Sequence, residues 1–367
     1  MNQFTIAGDM KSPFLTWFIE GLKHKFSTEG YDYCQEPVDN IRVVFNILDQ
    51  EKPRPFRRKA QATFVVSIIE RHLDKRESQP SNTFESAYPF LIRSLSNHLI
   101  YILHNHSQTN IYFVTPEQGF YKLEYENGET ESFFQKVYER LEPVASSQLI
   151  INNEFNDDLH ESLWGGNQFT KKMYLSGKKL DDMNLLPAPF PLENYLTSRD
   201  MRQLKRLYGI GGLSYGNLSS REDEKNFWMS ASGVNKADMR NVGQDILYIT
   251  GFNAGNNAMK ISVPPNITPK RASVDAIEHW MIYKEHPNVG AIVHIHAWMD
   301  GIEATEINYP CGTIQLAEAV SELVRNADDP SRAVIGLKNH GLTITGHDLD
   351  DIFERIEGKV VSQVPMV

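Results

Sequence analysis

The spacing of hydrophobic positions along this 367-residue chain changes period several times, and each change marks an element. Apolar residues at helical spacing predict a helix over residues 12–27, started by Ser12-Pro13, with Phe14, Trp17, Phe18 and Leu22 on one face. Apolar runs over Ile41–Leu48 and residues 60–70 predict strands, and the polar stretch 72–84, with Pro80 and Asn82, predicts a loop. A helix is expected over 85–97, strands over Leu99–Leu103, Asn110–Thr115 and Phe120–Tyr125, and an amphipathic helix over Ser132–Leu141. Three prolines within residues 184–193 exclude a helix and predict an extended linker. A helix follows from Thr197 or Ser198 to Gly209, then strands at Asn226–Ser230 and Asp245–Thr250. A helix over 274–285 is capped by Ser273 and stopped by Pro287. Gly290–Ala297 is a strongly apolar strand and Thr313–Val324 a helix. Strands Ala333–Leu337 and Leu342–Thr345 flank Asn339-His340-Gly341, and Asp348 caps a last helix whose face is Leu349, Ile352, Phe353 and Ile356.

The mixture of periods predicts an α+β protein, and at roughly 100–200 residues per domain the length predicts two domains. Residues 1–185 are expected to form a mixed α+β domain, 186–195 a proline-rich linker and 196–367 the second domain. A composition of 41% hydrophobic and 23% charged residues supplies two modest cores and argues against disorder. The net charge of −10 argues against a nucleic-acid partner. Two cysteines, Cys34 and Cys311, are no disulfide framework, and the chain shows neither a signal-peptide pattern nor an apolar run of about 18 residues. A cytoplasmic protein without a membrane partner is the expectation.

The clearest chemical signal is Ala291-Ile292-Val293-His294-Ile295-His296-Ala297. Side chains two apart on a strand share a face, so His294 and His296 project together and suit one divalent cation. Two histidines hydrogen-bonded separately in a buried strand would give the same pattern. His340 offers a third ligand, or a polar turn residue, and Gly341 would permit the backbone to turn the preceding side chain. Gly216-Asn217, Ser232-Gly233 and Ser273 are small and polar; together they could cradle a phosphate, and singly they read as turns and a cap. Asp275, in the first turn of its helix, favours the helix dipole or serves as a carboxylate that takes a proton. In the N-terminal half His72, His98, His104, His106 and His160 read as scattered, and His104-Asn105-His106 as surface histidines rather than a metal pair.

In order and spacing, Gly216-Asn217-Leu218-Ser219, Ser232-Gly233-Val234, Ser273-Val274-Asp275, the block from His286 to Ala297, and Asn339-His340-Gly341-Leu342 resemble the class II aldolase/adducin family over roughly residues 196–357. The resemblance implies a three-layer α/β/α domain on a mainly antiparallel sheet, acting as a lyase or epimerase on a small phosphorylated sugar. It puts Zn2+, or else Mn2+ or Co2+, on His294, His296 and His340, the catalytic carboxylate on Asp275, and substrate binding on Gly216, Asn217, Ser232, Gly233 and Ser273. The metal would chelate a ketose and stabilise an enediolate while Asp275 moves the proton. The family also implies a homotetramer. Other roles on the same scaffold are a non-catalytic adducin-like interaction module with a structural metal, and a dehydratase or decarboxylase. The chain departs from the family in three ways. Asp275 stands for the usual glutamate and Val274 for a second phosphate-binding serine, and the segment from His296 to Cys311 is short, with no residue taking the place of an active-site tyrosine.

Overall fold

The structure is a computed structural model and describes all residues except 1, 36–40, 59–62, 74–82, 106–107, 117–118, 126–127, 151, 187–191, 209–214 and 367. The chain divides into two compact units. The first comprises residues 1–146, 193–203 and 366–367, the second residues 147–192 and 204–365.

The first unit is built on a seven-stranded sheet with strands β1 (Gln3–Ala7), β2 (Asp32–Tyr33), β3 (Val43–Ile47), β4 (Phe64–His72), β5 (His98–His104), β6 (Thr109–Val114) and β7 (Phe120–Tyr125). Their order is β2-β1-β3-β4-β5-β6-β7; the first five strands run parallel, and β6 and β7 are antiparallel additions. Parallel strands require crossovers, here including α1 (Pro13–Thr28) and α2 (Thr83–Ser94); α3 (Thr130–Ser146) follows β7. Ser12 caps α1 by accepting from the Leu15 amide at 3.0 Å, as its position before Pro13 requires. Most of β3, β4 and β5 is buried, which explains why these strands read as apolar runs rather than alternations.

The second unit holds an eight-stranded sheet of β8 (Asn152–Asn156), β9 (Asn217–Arg221), β10 (Phe227–Ser230), β11 (Ile246–Asn253), β12 (Ala258–Ser262), β13 (Ala291–Ile295), β14 (Val334–Leu337) and β15 (Gly341–Gly346). The order is β14-β15-β13-β9-β10-β11-β12-β8. Every neighbouring pair is antiparallel except β12 with β8, so this sheet too is mixed. Its helices are α4 (Gln168–Asp182), α6 (Ala276–Glu285), α7 (Ile314–Asn326) and α8 (Leu349–Ile356); α5 (Ser198–Tyr208) crosses the division between the units. Leu218, Trp228, Ile249, Ile261, Val293, Ile344 and Phe353 belong to one apolar core.

Residues 147–192 group with the second unit, although their position before the prolines suggested the first. The cause is β8, which extends the sheet edge by pairing Asn152–Asn156 with Ala258–Ser262. Most of the expected linker lies outside the described residues; Leu192–Asn194 forms a single 3-10 turn. Helix α4 had no counterpart in the hydrophobic pattern. It is fixed at its start by a capping box in which Asn167 and Thr170 exchange side-chain and backbone bonds. No helix among the described residues is long and apolar enough to cross a membrane.

Candidate metal centre

Strand β13 is flanked by β9 and β15, and its registers place Asn217 opposite His294 on one side and Thr343 opposite His294 on the other. Directly opposed residues share a face. The row Asn217–His294–Thr343 therefore points one way, and α6 supplies two carboxylates to it. Asn217 Nδ2 donates to Asp275 Oδ2 at 2.6 Å and to Ser273 Oγ at 3.1 Å. Thr343 Oγ1 donates to Glu278 Oε1 at 2.5 Å. One helical turn separates the two acids, so they bond to the two residues that flank His294 in the row.

His296 follows the end of β13, and His340 ends the turn between β14 and β15. The three imidazoles form a near-equilateral set, with ring centroids 5.3, 4.8 and 4.9 Å apart and planes inclined by 66–71°. One nitrogen from each lies within 4.8 Å of the others. His294 is 1% exposed and His340 6%. His294 Nδ1–H donates to the Leu342 carbonyl at 3.0 Å, which leaves Nε2 with its lone pair facing inward. That Nε2, His296 Nδ1 and His340 Nε2 are buried without a hydrogen-bond partner. Burial holds all three rings neutral: His294 is lowered, His296 lies well below the ordinary histidine value, and His340 falls to about 3, its neighbour His294 adding to the effect. Neutral imidazoles that each keep a buried nitrogen without a partner, and that bring one nitrogen each within 4.8 Å of the others, fit a divalent ion, and without one they carry an uncompensated desolvation cost.

Two glycines permit this approach. A Cβ on Gly341 would stand 2.2 Å from the Ile295 carbonyl oxygen, and one on Gly216, at φ +67°, 2.3 Å from that of His294. The left-handed residue beside His340 is Asn339, at φ 58°; Gly341 is needed for space rather than for a turn. This corrects the expected role of that glycine.

Asp275 is 4% exposed and stands at the N-cap of α6, yet its side chain makes no cap bond. It accepts instead from Asn217, from Cys311 Sγ at 2.8 Å and from Ser273 Oγ at 3.3 Å. Ser273, expected as the cap, lies two residues before it. A carboxylate that gives up a cap bond worth about 1 kcal/mol is held for another purpose. Burial alone would raise its pKa; the histidines His294 and His340 and the Cys311 thiol outweigh burial and lower it. Glu278, 2% exposed, goes the other way, pushed up to about 8 by burial and then by Asp275. Lys236 is 2% exposed and burial brings it down to about 7.

Of the other expected site residues, Gly216 precedes β9 and Asn217 opens it, and Ser232-Gly233 form the turn after β10. The Ser232 amide donates to Arg271 O at 2.8 Å, and Ala231 bridges Ala272, so this turn is fastened to the segment leading into Ser273. Sequence reasoning missed Glu278, Thr343, Cys311 and Lys236. A glutamate three positions after Asp275 in a largely apolar helix was the one available signal.

The model of the "Class II Aldolase and Adducin N-terminal domain" family matches residues 200–299. A protein called L-fuculose phosphate aldolase from Methanocaldococcus jannaschii is 25% identical over 173 residues, 41% of this chain and 82% of that one. Among solved structures, an L-fuculose 1-phosphate aldolase at 17% identity covers 53% of this chain and 83% of its own, with a TM-score of 0.36. An aldolase II superfamily protein from Pseudomonas syringae, at 15% identity, covers 55% and 74%, also at 0.36. The C-terminal half of the chain thus resembles the class II aldolase/adducin family, whose model matches residues 200–299.

Proposed function

We propose that the second unit is a metal-dependent lyase or epimerase of small phosphorylated sugars. The observation that carries this reading is the convergence of three buried, unpartnered imidazole nitrogens beside a carboxylate that forgoes its helix cap. His294 Nε2, His296 Nδ1 and His340 Nε2 would hold the ion, Zn2+ by donor type, with Mn2+ or Co2+ as alternatives. When bound, such an ion supplies Lewis-acid polarisation of a substrate oxygen.

The remaining chemistry belongs to the chain. Asp275, ionised at neutral pH, serves as the base that takes a proton from carbon and returns it. Asn217 and Cys311 hold its two oxygens and so fix its direction. Glu278, protonated at neutral pH, keeps a second negative charge away from Asp275. Gly216, Ser232, Gly233 and Ser273 would line the phosphate subsite with small side chains, in keeping with the sugar phosphate named for the relative. The three-layer arrangement, the cytoplasmic location and the homotetramer belong to the same reading.

The test joins metal content to turnover of a sugar-phosphate panel. His340→Ala is expected to lose about one ion per chain relative to wild type and all turnover. Asp275→Asn is expected to keep that ion while turnover falls roughly 10²–10⁴-fold. Undiminished turnover in either variant overturns the proposal.

A further inference from the structure

The first unit contains a second group of metal-ligand type, Glu70, His72 and His104, with one donor atom from each within 4.8 Å of the others. The parallel pairing of β4 with β5 sets His72 beside His104 and Glu70 beside Ile102. Glu70 and His72, two apart on one strand, share a face, and His104 lies on it through the register. All three stand at the carboxyl ends of parallel strands, the end of an open α/β sheet where ligands bind.

The donor atoms lie close together, and the exposed His72 ring is free of packing that would stop it from turning toward a shared ion. Glu70 Oε1 lies 2.8 Å from His104 Nε2 and 3.6 Å from His72 Nε2, and the two rings stack at 4.4 Å with an interplanar angle of 14°. The far atoms of two ligands are pinned from outside. Ser12 Oγ donates to Glu70 Oε2 at 2.5 Å, and Thr109 Oγ1 lies 2.8 Å from His104 Nδ1. Phe14 meets the His104 ring edge-on at 4.7 Å. A hydroxyl donates or accepts, so Thr109 serves either His104 tautomer; with Nδ1–H donating to it, Nε2 presents a lone pair inward. Outer partners of this kind are what orient metal-binding histidines and carboxylates. The Glu70 side chain is 8% exposed and that of His104 14%, whereas that of His72 is 65% exposed, so one side of the group is open to solvent.

We propose that Glu70 Oε1, His72 Nε2 and His104 Nε2 form a second metal centre, binding one divalent transition ion of the zinc class and leaving an open coordination position toward solvent. Two imidazoles and a carboxylate around an open position form a ligand set used by catalytic rather than closed structural sites. Its nearest competitor is a plain Glu70–His104 hydrogen bond, which uses neither His72 nor the second role of Thr109.

The full chain is dialysed against micromolar Zn2+, freed of unbound ion and analysed for zinc. Co2+ absorption reports coordination in parallel. Wild type is expected to retain about two ions per chain, and His72→Ala and His340→Ala about one each. His72→Ala is the primary variant because that side chain is largely exposed and its loss leaves the Glu70–His104 pair intact. Thr109→Val should weaken the site roughly 10–100-fold while unaltered far-ultraviolet circular dichroism reports an intact fold. Zinc retention that His72→Ala and Glu70→Gln leave unchanged overturns the proposal, as does a His340→Ala chain holding none. A wild-type chain whose single ion is lost in His72→Ala supports this centre and sinks the one on His294, His296 and His340.

Discussion

The two histidine groups of this chain use the same donor chemistry in opposite resting states. In the second unit three ring nitrogens are buried with no partner, so the ion-free group is costly in itself. In the first, Glu70 and His104 satisfy one another and His72 reaches water, so the ion-free group is content as it stands. An ion entering the first must displace a hydrogen bond, and one entering the second displaces nothing. Affinity at a ligand set therefore depends on what its donors do when empty, as well as on which donors they are.

The strongest way to break this comparison is to withdraw metal. Binding to the folded state alone stabilises by about 4 kcal/mol when free ion exceeds its Kd a thousandfold. Graded chelation should strip the Glu70 group first and the three-histidine group last, with the larger loss of thermal stability in the second unit. Trp17 is the one tryptophan of residues 1–146, so its fluorescence reports the first unit separately. Simultaneous release with equal destabilisation would erase the distinction. A somewhat smaller effect tests the backbone clamp. Gly216→Ala forces a left-handed alanine and a clash with the His294 carbonyl, and should cost about 3 kcal/mol along with the bound ion. Wild-type urea unfolding and metal content in that variant would show the clamp to be idle.

The two groups also differ in how far the sequence discloses them. His294 and His296 are legible because a period of two on an apolar strand places them together, and Asn-His-Gly points to His340 between two strands. Asp275 is legible as an acid near a helix start, but not as one that turns away from its own helix. Strand β9 escaped because Asn217, Ser219 and Ser220 are polar and nonetheless buried. Ser219 is paid for by bonds at 2.8 Å to His279 and Tyr283, which no periodicity displays. Glu70 and His104 stand 34 positions apart and meet only through parallel pairing, which has no local signature. His72, taken as the start of a loop, is the last residue of β4. His104-Asn105-His106 was weighed as a pair, whereas the partner of His104 is His72; His106 lies outside the described residues.

A third test asks whether a buried histidine without any ion behaves as its burial requires. His98 is 2% exposed, its Nε2 has no hydrogen-bond partner, and burial lowers it to about 4. The unfolded chain binds its proton near the ordinary value of 6.5, so the unfolded state holds more protons between these limits. Its contribution is fully present above about pH 6.5 and is lost as the pH falls toward about 4, roughly 3 kcal/mol in all. Trp17-monitored denaturation at pH 7 and pH 4.5 measures the loss, and His98→Leu should flatten it. An equally steep acid dependence in that variant would assign the effect to other groups.

The smallest expected effect separates two jobs of one hydroxyl. Ser12 Oγ accepts from the Leu15 amide to cap α1 and donates to Glu70 Oε2. Ser12→Ala removes both bonds and should cost the first unit about 1–2 kcal/mol. Ser12→Asp restores a cap as good as serine but offers Glu70 an ionised carboxylate in place of a donor. If capping is all that matters, Ser12→Asp recovers wild-type stability. If the orientation of Glu70 matters, Ser12→Asp stays at or below Ser12→Ala in denaturation, because like charges at hydrogen-bond distance oppose each other and turn Oε1 away from the two imidazoles. The second outcome would show that the helix cap and the carboxylate of the Glu70 group share a single support.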